Sequence, residues 1–195
     1  MIIKNTFVNF IGDINVGQLA LFVNLDKEGF FMEDKELVQK ISFFDYVVLH
    51  GKPFEQKEDL PIIIRKAKKL NEKIIFEIRT DGLIKPVGIN GISNVFFIIN
   101  VQLKNTGKDY KDRININVLS WFNELGVKFK FKINNIDDLD ESSLLINNIG
   151  IDKSRIYICV NFTSLEMMEK LVSQIKISGY NISMNFHELF WNRKR

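Results

Sequence analysis

Few side chains in this sequence are of a type and spacing to carry chemistry. His50 and Lys52 stand two residues apart where the apolar run Tyr46-Val47-Val48-Leu49 ends at a Gly51 turn. An imidazole and an ammonium at the end of a strand can hold an anion, because α/β folds bind ligands at the C-terminal ends of their strands. Glu77 and Arg79 share one side of the segment Ile75-Phe76-Glu77-Ile78-Arg79, since side chains alternate along a strand. Lys128, Lys130 and Lys132 alternate in the same way with Val127, Phe129, Phe131 and Ile133. His187 closes a run in which Asn181, Ser183 and Asn185 alternate with Ile182, Met184 and Phe186. These are acid–base or anion-binding groups. They form no nucleophile–base pair and no metal-ligand spacing, so no catalytic residue and no metal site is assigned.

Cys159 is the only cysteine. One thiol excludes an internal disulfide and cannot supply the cysteine set of an iron–sulfur cluster or a cysteine-based zinc site. Each candidate also has a plainer explanation. His187 can serve as a hydrogen-bonding residue near the C-terminus, and Cys159 as a small core or lumen residue. The lysine strand can be an edge strand with a solvated face. Gly12 and Gly17 are too far apart to mark an anion nest by themselves. Arg65, Lys66, Lys68 and Lys69 make a basic helix face, which reads as solvated.

These residues are positioned by a regular alternation of short strands and helices. Strands are expected at 5–11, 19–25, 45–50, 73–79, 94–101, 127–133, 154–161 and 180–187, each rich in Phe, Ile and Val. Helices are expected at 33–43, 58–71, 112–125, 137–148 and 164–178. Helix 58–71 places Leu60, Ile63, Ile64, Ala67 and Leu70 on one stripe, with Pro61 in its first turn. Thr163 and Glu166 have capping-box spacing before helix 164–178, and Gly179 stops it. The polar stretch 102–112 is expected to be a surface excursion. Strands separated by helices imply βαβ units and a mostly parallel sheet. A parallel sheet covered on both faces would show continuous apolar runs, yet several of these strands alternate. The expected fold is therefore α/β, a partial, open β/α barrel with helices on the outer face and a polar concave face.

Composition agrees with one folded domain spanning 1–195. The chain is 46% hydrophobic and 26% charged, with a formal net charge of +3, which gives no sign of a nucleic-acid binder. Its apolar runs are too short to span a bilayer, and its N-terminus lacks the order of a signal peptide. A cytoplasmic protein that does not engage membranes is expected.

The order of segments resembles 7-carboxy-7-deazaguanine synthase, a radical-SAM enzyme of the queuosine pathway. FVNFIGDINVGQLALFVNL resembles the family's opening, a Gln-Gly-Glu segment followed by Gly and Phe-Val-Arg. DYVVLHGKPFEQ resembles the strand ending in Gly-Gly-Glu-Pro, and IIFEIRTDG stands where the family has Glu-Thr-Asn-Gly. INVQLKNTG resembles a Ser-Pro-Lys-Leu segment, FKFKINNIDDLDE a Lys-Phe-Val strand with its helix, and NISMNFHELFW a closing Gln-Leu-His-Lys and Trp. The resemblance spans nearly the whole chain and implies the radical-SAM form of the open barrel.

The departures fall where the family does its chemistry. Its three-cysteine loop should follow Leu25, but the chain reads Asp26-Lys27-Glu28-Gly29-Phe30. The Glu of Gly-Gly-Glu-Pro, which helps hold the amino group of S-adenosylmethionine (SAM), is Lys52, and an ammonium would repel that amino group. The family's substrate-carboxylate Arg is Asn24, the Glu of Glu-Thr-Asn-Gly is Arg79, and the Ser-Pro-Lys segment is Asn100-Val101-Gln102. The altered family positions are thus Asn24, Lys52, Arg79 and Gln102, while Lys130 matches a lumen lysine and His187 the terminal His.

The expectation is a non-catalytic homologue that holds a protein partner or a small anionic or purine-like ligand, without cluster or SAM. It would act as a homodimer or heteromer. The candidate ligand residues are His50, Lys52, Glu77, Arg79, Lys130 and His187. The alternative is a deazapurine-pathway enzyme or subunit with altered, cluster-independent chemistry.

Overall fold

Alternation of residue type becomes alternation of burial. In Lys128–Ile133 the phenylalanines Phe129 and Phe131 and the terminal Ile133 are fully buried, while Lys128 and Lys130 are half-buried and Lys132 is exposed. A computed structural model of the chain describes residues 1–56, 58–160 and 165–183. Thr163, residues 184–187 of the last expected strand, and His187 with them, lie outside the described residues.

By backbone proximity the chain forms two compact units. The first comprises Met1–Ile11, Gly17–Thr80 and Ile84–Ile98, and the second Gly12–Val16, Asp81–Leu83 and the chain from Ile99 onward. In the first unit, β1 (Ile2–Phe10) pairs antiparallel with β2 (Leu19–Leu25) and with the two-residue β3 (Phe30–Phe31). Helix α1 (Asp34–Ser42) leads to β4 (Tyr46–Gly51), then α2 (Asp59–Leu70) to β5 (Ile75–Thr80), with β2, β4 and β5 mutually parallel. Strand β6 (Val95–Val101) begins in this unit and ends in the second.

Two helices form as their apolar spacing predicts. Helix α1 buries Leu37, Val38 and Ile41, and α2 buries Leu60, Ile63, Ile64 and Ala67. Leu70, expected on the α2 stripe, is exposed at the helix end. Each fully buried Leu or Ile contributes roughly 1.5–3 kcal/mol.

The second unit continues with α3 (Tyr110–Arg113), α4 (Ile116–Glu124), β7 (Lys128–Ile133), α5 (Ile136–Ile149), β8 (Ile156–Val160), α6 (Leu165–Ser178) and β9 (Asn181–Ser183). Strands β7, β8 and β9 are parallel. Among the described residues, hydrogen bonding orders the strands β3-β1-β2-β4-β5-β6-β7-β8-β9. The single helix expected over 112–125 is instead two. Asn115 leaves helical geometry and caps the second helix, its side-chain oxygen accepting from Val118 N at 3.3 Å. The polar stretch after β6 is mostly exposed and is tied down by Arg113, which pairs with Glu141 at 2.7 Å. Among the described residues no helix is long and apolar enough to cross a membrane.

Candidate functional site

Strand register places the polar residues of the first unit in rows. Phe22 pairs with Val48, and Val48 with Glu77, so these three are level across β2, β4 and β5. One pleat toward the C-terminal ends, Asn24 is level with His50. The register of Leu49 with Ile78 brings Arg79 to the same level on β5. One pleat the other way, Ala20, Tyr46 and Ile75 form an apolar floor, closed by Ile11 and Val48. The result is one face, apolar at its base and polar at the strand ends, where α/β folds bind ligands.

The charges on this face are mutually satisfied. Glu77 is fully buried; Arg79 Nε donates to its Oε1 at 2.6 Å, and Tyr46 Oη donates to its Oε2 at 2.8 Å. A buried carboxylate requires partners of this kind. The Arg79 guanidinium also lies 5.9 Å from the centre of the Phe22 ring.

His50 is different. Its Nε2 is buried without a hydrogen-bond partner among the described residues. Burial, and next to it the Arg79 cation, push its pKa down to about 4, so the imidazole is neutral at neutral pH. Phe7 and Phe22 stack with centroids 5.0 Å apart and planes 3° from parallel, and both present their rings edge-wise to His50, at 6.2 and 6.1 Å. Phe7 is 42% exposed, so this aromatic shelf is open to solvent.

Lys52 lies beyond the strand. Gly51 adopts φ +88°, and a Cβ there would meet the Leu25 carbonyl and the Asn24 amide oxygen, so only glycine fits. The turn is pinned by Lys52 N donating to Leu25 O at 2.6 Å. The exposed Lys52 ammonium is 3.6 Å from Glu55, which also meets Lys27 at 3.2 Å.

In the second unit Lys130 Nζ lies 2.5 Å from Asp13 Oδ2, with side chains only 14% and 9% exposed. Lys128 reaches Asn15 Oδ1 at 3.4 Å and stands 5.5 Å from the Tyr157 ring centre. Gln102 follows β6; its backbone carbonyl accepts from Arg113 at 3.3 Å, and its side-chain Oε1 is buried without a partner among the described residues. Cys159 is buried on β8.

The structure thus groups Asn24, His50, Glu77 and Arg79, and places Lys130 in a separate ion pair. Tyr46, Phe7 and Phe22 were missed from sequence, although the alternation of β1, β2 and β4 held the signal. Asp13 was missed because nothing local marks it.

The open, mostly parallel α/β sheet with interleaved helices carries its polar residues at the strand ends, and the comparisons show that this fold is of the radical-SAM type. The chain superposes on QueE from Escherichia coli with a TM-score of 0.68 at 12% identity, covering 94% of this chain and 92% of that one. It also matches SuiB from Streptococcus suis with a TM-score of 0.52 at 14% identity, covering 82% of this chain and 44% of that one. QueE is a 7-carboxy-7-deazaguanine synthase, so the fold agrees with the resemblance seen in the sequence. No family model matches the chain, and no curated protein matches its sequence.

Enzymes of that fold hold an iron–sulfur cluster on cysteine thiolates, and the residues after Leu25 do not fit such a cluster. The segment after Leu25 offers no thiol. It forms a turn in which Glu28 N bonds Asp26 Oδ1 at 3.3 Å, then pairs Phe30 and Phe31 with Ile3 and Ile2 of β1. A Cβ on Gly29 would overlap the Ile3 carbonyl, so this segment is pressed against β1. Among the described residues no group of three or more His, Cys, Asp or Glu could hold a metal ion.

Proposed function

We propose that this protein is a non-catalytic relative of the synthase fold that acts by binding, and that the shelf of the first unit holds a planar, uncharged, purine-like group. The observation that carries this reading is His50: a neutral imidazole with an unpartnered Nε2, flanked by the open Phe7–Phe22 stack. A flat heteroaromatic ring can stack on the exposed Phe7 and, once the side chains covering the imidazole edge move aside, meet Nε2 with one of its polar atoms, Nε2 donating or accepting according to tautomer. An anion is less suited to this shelf, because Arg79 is already engaged by Glu77. Radical-SAM chemistry does not enter the proposal, because the chain supplies no thiolate set. The alternative of cluster-independent acid–base chemistry is disfavoured, since a group with a pKa near 4 is a weak base at neutral pH.

Calorimetry with guanine and 7-deazaguanine tests the reading. Binding that weakens in both His50→Ala and Phe22→Ala is expected. Absence of heat with either probe, or binding indifferent to both changes, removes the shelf as a ligand site and leaves a protein partner, a second copy included. Anaerobic reconstitution with iron and sulfide is expected to give no stoichiometric cluster absorbance, and a stable cluster on the monomer would overturn the non-catalytic assignment. SAM is expected not to bind, and tight SAM binding would show that Lys52 has been misread.

A further inference from the structure

A lysine that is nearly buried needs a counter-charge, and Lys130 finds one far from its own strand. Its partner Asp13 is 117 residues away in sequence, on the loop tip Gly12–Val16 that belongs to the same unit. The tip is neither helix nor strand. It is shaped by Asn15 in the left-handed region, φ 66°, and anchored by buried Ile14. A further polar contact to β7, from Lys128 to Asn15, is long at 3.4 Å. One close ion pair on an irregular loop therefore neutralises the central cation of the strand.

We infer that Lys130 is a carboxylate-binding site which the chain keeps closed with its own Asp13, and that a small external carboxylate opens it by displacing that side chain. The occupant already in place is a carboxylate, so the site is sized and charged for one. Exchange keeps the ammonium paired with one carboxylate group: Asp13 swings to water as the incoming group is desolvated. The penalty of bringing an uncompensated charge into a half-buried site is thereby avoided. What opposes binding is the tether, together with the other interactions that hold Asp13. An intramolecular competitor acts at an effective concentration of millimolar or above, so the parent protein binds free carboxylates weakly. This site is independent of the aromatic shelf, whose residues all lie in the other unit, so either can fail without the other.

The test compares thermal stabilisation by succinate, with ionic strength balanced by chloride, in the parent, Asp13→Asn and the double variant Asp13→Asn/Lys130→Met. Removing the internal competitor should lower the succinate concentration for half-maximal stabilisation at least tenfold. Adding Lys130→Met should abolish the response, which separates site binding from the general stabilising effect of excluded anions. An Asp13→Asn protein that responds no better than the parent overturns the inference, as does a response that survives loss of Lys130. Asp13→Ser repeats the comparison with a smaller neutral side chain should the amide not be accommodated. The parent gives a further reading: the ε-ammonium resonance of Lys130 should shift at high succinate, and one that stays fixed throughout also counts against the site.

Discussion

Two ion pairs, one in each unit, solve the same problem in different ways. On β5, Glu77 and Arg79 are two residues apart on one strand, so their pairing is built into the pleat and braced by Tyr46. On β7, Lys130 has no acidic neighbour on its own strand and borrows Asp13 from a loop. The first arrangement is local, and its carboxylate is fully buried. The second depends on where a loop lies, and a side chain that is held by a loop can be replaced. Binding chemistry is therefore expected beside the first pair, at uncharged His50, and in place of the second.

The comparison predicts the largest effect where the carboxylate is fully buried. Glu77→Gln should destabilise the protein by about 3–5 kcal/mol, because the Arg79 cation loses its counter-charge. Chemical denaturation measures it, and a loss under 1 kcal/mol would mean that Arg79 readily reaches water.

Next in size is the pH response of His50. Its folded pKa of about 4 lies below the ordinary 6.5, so the unfolded chain binds more protons between those values. Stability should fall as pH drops from 6.5 to 4, by up to about 3 kcal/mol. Denaturation across that window should show the slope, and His50→Gln should flatten it. An unchanged slope in the variant would assign the acid sensitivity to other groups.

Asp13→Asn should cost about 2 kcal/mol, less than the Glu77 change, because the Asp13 side chain keeps 9% exposure where that of Glu77 has none. A cost equal to that of Glu77→Gln would break the contrast between a fixed pair and an exchangeable one. Smallest of all, Lys128→Met should change stability by under about 1 kcal/mol, since it removes a long hydrogen bond and a partly exposed contact with Tyr157.

Much of the scaffold was legible in the sequence. The alternation of Lys128 to Ile133 and of Ile75 to Arg79 gave both strands and their faces, and Gly51 and Gly179 marked turns that take positive φ. The break at Asn115 was not legible, because apolar residues on both sides keep helical spacing while the capping bond forms only in place. Nor was β3, since two residues carry no period; Phe30 and Phe31 become a strand only because β1 lies beside them.

Residue types alone determined that the chain brings a single thiol and that no cysteine follows Leu25. They also placed Glu77 and Arg79 on one face, because a strand's two-residue period is a property of the local backbone. Only the tertiary structure decided which charges meet. Tyr46 reaches Glu77 because β4 and β5 are neighbours in register, and Asp13 reaches Lys130 across 117 residues because the tip of the loop between β1 and β2 belongs to the same unit as β7. Burial decided the rest: the protonation of His50 depends on how much water and how much of the Arg79 charge surround the ring, and no spacing in the chain encodes that.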